Sequence, residues 1–348
     1  MKILHIASFK GNIGDNASHI GFYKILKMYL NNFEINKIEI RKFYKNYNKS
    51  DALSFDNTFI ESINNYDLCV IGGGGFLDYW VPNSMTGTTI DIDPMLLFKI
   101  KTPTLFTSIG SNPHKIIPNG NIEKYKFFLE KACANNNIKF AFRNDGSINS
   151  IKRNLGIMKD PYFHEILDHG FFFNVDKDYE PLVNGKYVAI NITEDQLEML
   201  SHNRGDIDMP NYYKELSKVM NYIVTNLSLQ IVFVPHIYSD LNAISSLLKF
   251  LDDDVIRNYV SVAPCLQGDI GTNRIFSIYK KSEFVIASRF HANVCSLAME
   301  KKTIGIAVLD RVKYLYEYLG IPDQAIYIDK HFNQKIIKII KSKNKKST

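Results

Sequence analysis

An arginine and a histidine two residues apart, Arg289 and His291, stand in the run Ala287-Ser288-Arg289-Phe290-His291-Ala292-Asn293. A guanidinium keeps its charge and offers a planar fork to paired anionic oxygens. An imidazole titrates near neutrality and can give or take a proton. With the Ser288 hydroxyl beside them, these residues suit a reaction centre for an anionic donor. Spacing alone leaves a plainer reading open, a surface cation beside a satisfied polar side chain.

Other runs carry similar potential. Gly11-Asn12-Ile13-Gly14-Asp15-Asn16 follows the first apolar run. Glycine there permits a tight turn; Asp15 or Asn16 either caps a helix or touches substrate. It is not a dinucleotide fingerprint. Gly72-Gly73-Gly74-Gly75 is costlier than a turn requires, which points to close approach of a ligand or of a partner domain. Thr107-Ser108-Ile109-Gly110-Ser111-Asn112 ends another apolar run with small polar residues. Arg143 precedes Asn144-Asp145-Gly146-Ser147, with Asp145 or Ser147 as a helix cap and a salt bridge as the plainer role for the arginine. His236 follows Val234-Pro235 at another strand end; it has a structural reading and ranks below the arginines as a functional candidate.

All these residues fall where an apolar run gives way to a helical pattern. Candidate strands lie at 2–7, 35–43, 68–71, 104–109, 139–142 and 163–167. Helical patterns lie between most of them, at 17–30, 122–135 and 147–155. After a polar stretch a second series runs through 187–191, 231–234, 260–263, 284–287, 303–308 and 326–328. Its helices fall at 212–225, 241–251, 271–279, 292–300 and 312–319. Alternation of this kind implies parallel sheets covered by helices. The expected fold class is α/β: two tandem Rossmann-like, doubly wound domains in a GT-B-like arrangement with an interdomain cleft. The expected boundaries are 1–174, a linker at 175–185, 186–330, and a return helix with a basic tail at 331–348. Open α/β sheets take ligands at the carboxyl ends of their strands, and helix N-termini there favour anions.

The 348 residues are 45% hydrophobic and 22% charged, as in a globular protein. Six lysines between 335 and 346, with no acid among them, account for the whole net charge of +6. The body is therefore neutral, which argues against a nucleic-acid groove. Cys69, Cys133, Cys265 and Cys295 form no Cys-x-x-Cys pair, so neither zinc nor another metal is expected. The amino-terminal run is too short for a signal peptide, and no run approaches a membrane span, so the expected location is cytoplasmic. Ile336, Ile337, Ile339 and Ile340 form an apolar stripe, expected to pack back on the first domain. The lysines beyond Lys341 are expected to be solvated and drawn to an anionic membrane surface.

Asn12-Ile13-Gly14-Asp15, Val70-Ile71-Gly72-Gly73-Gly74-Gly75, Arg143-Asn144-Asp145-Gly146-Ser147, Leu167-Asp168-His169-Gly170-Phe171 and Ser288-Arg289-Phe290-His291 occur in the order seen in the polysaccharide pyruvyl transferase family. Lys313, followed by Leu319-Gly320-Ile321, matches as well. The resemblance spans residue 1 to about 323. Each motif is weak alone; their order makes the match specific. One departure is Glu300-Lys301-Lys302, where the family commonly has Gly-x-Pro at a turn.

The resemblance implies transfer of pyruvate from phosphoenolpyruvate onto two hydroxyls of one sugar, in a cell-surface polysaccharide (capsule or exopolysaccharide) or its precursor. The products are a cyclic ketal and phosphate. On that reading Arg143 and Arg289 hold the donor, one from each domain, with Ser288 and Lys313 beside them. His291 moves protons, and Asp15 is a lesser hydroxyl base. Asn12, Gly14, Gly73, Gly74, Ser111 and His236 line the cleft or acceptor side. Phosphoenolpyruvate is a co-substrate and no cofactor is implied; the acceptor is expected to be lipid-linked, on the inner face of the membrane. The alternative is a GT-B glycosyltransferase with a nucleotide-sugar donor. A sugar-binding protein without activity is disfavoured by the intact Arg143, Arg289 and His291.

Overall fold

The computed structural model describes residues 1–156, 163–204 and 208–344. Its contacts divide the chain into two units, one of residues 1–10 and 22–169, the other of 11–21 and 170–348. The division after His169 lies ahead of the linker read from the sequence at 175–185.

The first unit's chain contains β1 (Lys2–Ala7), α1 (Ile13–Tyr29, whose first turns count with the second unit), β2 (Glu34–Glu39), α2 (Asn57–Ile63), β3 (Leu68–Gly74), β4 (Thr104–Ile109), α3 (Asn121–Cys133), β5 (Ile138–Arg143), α4 (Ser147–Leu155) and β6 (Phe163–Ile166). The strands form one parallel sheet in the order β2-β1-β3-β4-β5-β6. Cys69, Val70 and Ile71 are buried, as the inner strand of a sheet covered on both faces requires. On α3, Tyr125, Phe128, Leu129 and Ala132 fall at helical spacing and bury one stripe. The strand expected at 35–43 is shorter: at Glu39 the carboxylate accepts from the Arg41 N–H, and a 3-10 turn at Ile40–Phe43 sends Ile40 and Phe43 inward.

The second unit contains β7 (Tyr187–Asn191), α5 (Asp195–Arg204), α6 (Met209–Leu227), β8 (Gln230–Phe233), α7 (Ser239–Leu248), α8 (Asp253–Tyr259), β9 (Val260–Val262), α9 (Gly268–Lys281), β10 (Phe284–Ala287), α10 (Phe290–Ala298), β11 (Thr303–Ala307), α11 (Asp310–Tyr318), β12 (Ala325–Tyr327) and α12 (Phe332–Asn344). Its parallel sheet has the order β12-β11-β10-β7-β8-β9. The chain runs outward from β7 to β9, then returns to lay β10 against β7. That reversal puts a topological switch point between β7 and β10, the place where such sheets open a crevice for ligands. The first sheet has its switch point between β1 and β3, so β3 delivers the glycine run to the equivalent position.

Two sequence expectations about the last third change. Helix α10 begins at Phe290 rather than 292, so His291 lies in its first turn. It ends on Glu300 with φ of 59°, where Lys301 N–H reaches Ser296 O and Glu300 N–H reaches Leu297 O. This is a left-handed helix stop, a position that favours glycine. The apolar stripe of α12 packs within the second unit. Phe332, Ile336 and Ile340 are buried in the second unit's own core, on α6 and β12, with Phe332 stacked on Tyr212 at 5.4 Å between ring centroids. Residues 345–348, including Lys345 and Lys346, and the side chain of Lys343 lie outside the described residues.

Candidate functional site

In the second unit the switch point assembles one polar cluster. The end of β7 supplies Asn191, whose carbonyl accepts the Ser288 N–H (2.9 Å) and whose side-chain oxygen accepts the Arg289 N–H (2.9 Å). Asn293 donates to the carbonyls of Ala287 (3.0 Å) and Arg289 (2.9 Å), and Tyr316 donates to Asn293 (2.8 Å). These bonds lock the turn from β10 into α10. Arg289 is its N-cap, and the Arg289 side chain makes no capping hydrogen bond. The first-turn N–H groups thus form the positive end of α10.

The Arg289 guanidinium is buried and held by carboxylates. Its Nε lies 2.9 Å from both oxygens of Asp240, and Nη2 lies 2.5 Å from Asp240 and 2.6 Å from Asp195. Burial acts to lower the guanidinium pKa, but these two acids more than offset it and raise it. Asp240 is itself fixed by the N–H groups of His236 (2.8 Å) and Ile237 (3.3 Å).

The imidazole of His291 meets the start of α1. Asp15 Oδ1 is 3.4 Å from His291 Nδ1, and Asn12 donates to the same carboxylate at 3.1 Å. Asn12 Oδ1 accepts the Gly14 N–H at 3.0 Å, so Asn12 does the capping that the sequence suggested for Asp15 or Asn16. Asp15 is left to face the imidazole. Gly14 is required by contact: a Cβ there would lie 2.6 Å from the His291 Cβ and 3.1 Å from its Nδ1. The Asp15 carboxylate at Nδ1 orients the ring, as a hydrogen-bonded carboxylate does for an imidazole.

His236, read as a cleft residue, is fully buried and braces the site instead. Its Nε2 pairs with the Tyr279 hydroxyl at 2.9 Å, and its carbonyl accepts from Ile13 N–H and the Gln267 amide. Burial first, then the charges of Arg289 and His291, push its pKa well below the ordinary histidine value.

The first unit gathers Gly73, Gly74, Ser111 and Arg143. Arg143 is buried, with Nε 2.6 Å from Asp145, and the other oxygen of Asp145 accepts the Ser147 N–H at 3.2 Å. The salt-bridge role is therefore met; the N-cap of α4 is Gly146, and Asp145 just before it accepts the first N–H of the helix. Ser111 shares its hydroxyl with Tyr125 at 2.8 Å and donates its N–H to Ser147 at 2.7 Å, so it is built into the core. The glycine run answers to its own unit: a Cβ on Gly72 would sit 1.8 Å from the Thr107 carbonyl oxygen, and one on Gly74 would sit 2.5 Å from Phe76. The close approach anticipated for a ligand or partner domain is made at these two positions by β4 and Phe76.

Lys313 stands apart on α11, 3.6 Å from Glu317 and 5.5 Å over the Tyr327 ring. Among the described residues no three His, Cys, Asp or Glu side chains group as metal ligands. Sequence reading missed Asn191, Asp195, Asp240 and Asn293. Asn191 ends a strand and Asp240 follows His236 by four residues, so the strand-end criterion that selected Arg289 would also have found them.

The fold has solved counterparts. UDP-GlcNAc 2-epimerase from Methanocaldococcus jannaschii matches 98% of this chain and 92% of its own at 10% identity, with a TM-score of 0.56. Staphylococcus aureus MnaA, solved with UDP, matches 97% and 87% at 11% identity and 0.53. A putative UDP-N-acetylglucosamine 2-epimerase from Listeria monocytogenes matches 96% and 90% at 10% identity and 0.52. At such identities the likeness is one of fold: a two-domain α/β protein of Rossmann-like units. No curated protein matches the sequence. The family model of polysaccharide pyruvyl transferases matches residues 12–311, and the chain belongs to that family, which places it among transferases of polysaccharide biosynthesis.

Proposed function

We propose that the protein transfers pyruvate from phosphoenolpyruvate to a sugar, forming a cyclic ketal and releasing phosphate. The observation that carries this reading is the Asp15–His291 pair at the end of β10, in a chain of this family. Forming the ketal requires a proton on the methylene carbon of the donor and loss of one proton from each of two sugar hydroxyls. One proton stays in the new methyl group and one leaves with the phosphate. The His291 imidazole serves this exchange, with Asp15 at its Nδ1. The leaving phosphate is stabilised by the positive N-terminal end of α10. Arg289, on its fixed support of Asn191 and Asp240, faces the donor's anionic oxygens.

The acceptor in this reading is a lipid-linked saccharide, and the lysines after Ile340 draw the protein to an anionic membrane surface. Incubation with phosphoenolpyruvate and candidate sugars tests the reaction. Phosphate release together with a product gaining one pyruvate less one water supports it. Stabilisation and turnover with a nucleotide sugar, and none with phosphoenolpyruvate, would move the protein to glycosyl transfer.

A further inference from the structure

We propose that Asp195 sets the affinity of the donor site, its carboxylate competing with an anionic oxygen of the donor for Nη2 of Arg289 while Asp240 remains the fixed counter-ion. This rests on the donor reading above and deepens it.

Nη2 carries two hydrogens. One meets Asp240 at 2.5 Å and the other meets Asp195 at 2.6 Å. A donor oxygen therefore reaches Nη2 only if one carboxylate withdraws. The two are not equally free to do so. The Asp240 side chain is 0% exposed and receives two backbone N–H groups, whereas the Asp195 side chain is 42% exposed. Asp195 is otherwise held by one backbone N–H, that of Gln196, and by two rotatable hydroxyls, Thr193 at 2.6 Å and Ser239 at 3.4 Å. Charge favours the same exchange. Two carboxylates on one guanidinium leave a net negative cluster, which repels a donor that carries both an enol phosphate and a carboxylate. Departure of Asp195 leaves Arg289 and Asp240 neutral together, and the donor then brings its own charge to Nη2.

The test is Asp195→Asn, which keeps the shape and removes the charge, with Asp195→Ser as a second charge-removing variant if the first folds poorly. Binding of phosphoenolpyruvate and of inorganic phosphate is measured by calorimetry, and KM and kcat by phosphate release. The expected result is binding of phosphoenolpyruvate about 3- to 10-fold tighter, the range of a partly exposed charge coupling. KM should fall by a similar factor without a matching rise in kcat, and Asp195→Glu should restore the original KM. A merely structural bridge would instead lower the melting temperature and leave KM unchanged or raised; that outcome in a folded variant overturns the proposal while the donor reading stands. If the unaltered protein neither binds nor turns over phosphoenolpyruvate, the donor reading fails and this proposal falls with it.

Discussion

At the scale of single residues, two histidines of one cluster have opposite fates. Both are buried, but His291 faces the Asp15 carboxylate whereas His236 pairs with the Tyr279 hydroxyl. Replacing His291 by alanine should lower kcat for phosphoenolpyruvate-dependent phosphate release by roughly 10²–10⁴-fold, the usual contribution of a positioned acid–base group. The variant should keep its circular dichroism spectrum and melting temperature within a few degrees; full activity in such a protein would remove His291 from the chemistry. His236 predicts a stability effect instead. Its folded pKa is depressed, so below about pH 6.5 the unfolded chain takes up a proton that the folded chain refuses. Stability is therefore complete above that pH and falls on acidification, by at most about 1.4 kcal/mol per pH unit. Urea midpoints measured from pH 7 to pH 5 should fall more steeply for the unaltered protein than for His236→Gln, and equal slopes would contradict the assignment.

At the scale of elements, the start of α1 and the end of β10 act as one piece. Gly14→Ala forces a methyl against the His291 side chain, with no room at 2.6 Å. Overpacking of this kind costs about 1–3 kcal/mol, and here the displaced group is the imidazole itself. Activity should fall together with the melting temperature. Helix α12 gives a second case. Ile336 is fully buried in the second unit, so Ile336→Ala should destabilise by about 2–5 kcal/mol in urea titration. A helix only lightly attached would lose far less.

At the scale of the whole molecule, charge and core separate along the chain. Among the described residues the buried core positions reach no further than Ile340, and Lys341 beyond it lies 5.4 Å over the Tyr222 ring. A chain ending at Ile340 should keep its fold and its activity on a soluble acceptor, and should bind anionic vesicles less at low salt. Equal sedimentation with vesicles, with and without the tail, would remove the membrane from the account. Among the described residues no helix is long and apolar enough to cross a membrane.

The sequence by itself determined the alternation of strands and helices, hence two parallel sheets, because the apolar runs of covered strands and the spacing of amphipathic helices are local signals. It also placed Arg289 and His291 at a strand end, because the turn from β10 to α10 is local. What it did not determine is which groups face them. Arg143 and Arg289 look alike as isolated arginines, yet each is neutralised by acids whose positions depend on the fold: Asp145 across a short turn, Asp240 and Asp195 from other strand ends about 49 and 94 residues away. Asp15 reaches His291 only because the start of α1 belongs with the second unit. The isoleucine stripe of α12 was plain in the sequence, but an apolar stripe specifies burial without naming the surface that covers it. That choice, like the partner of every buried charge, is made by long-range packing, where the cost of leaving a charge or an apolar face uncovered is settled among elements distant in the chain.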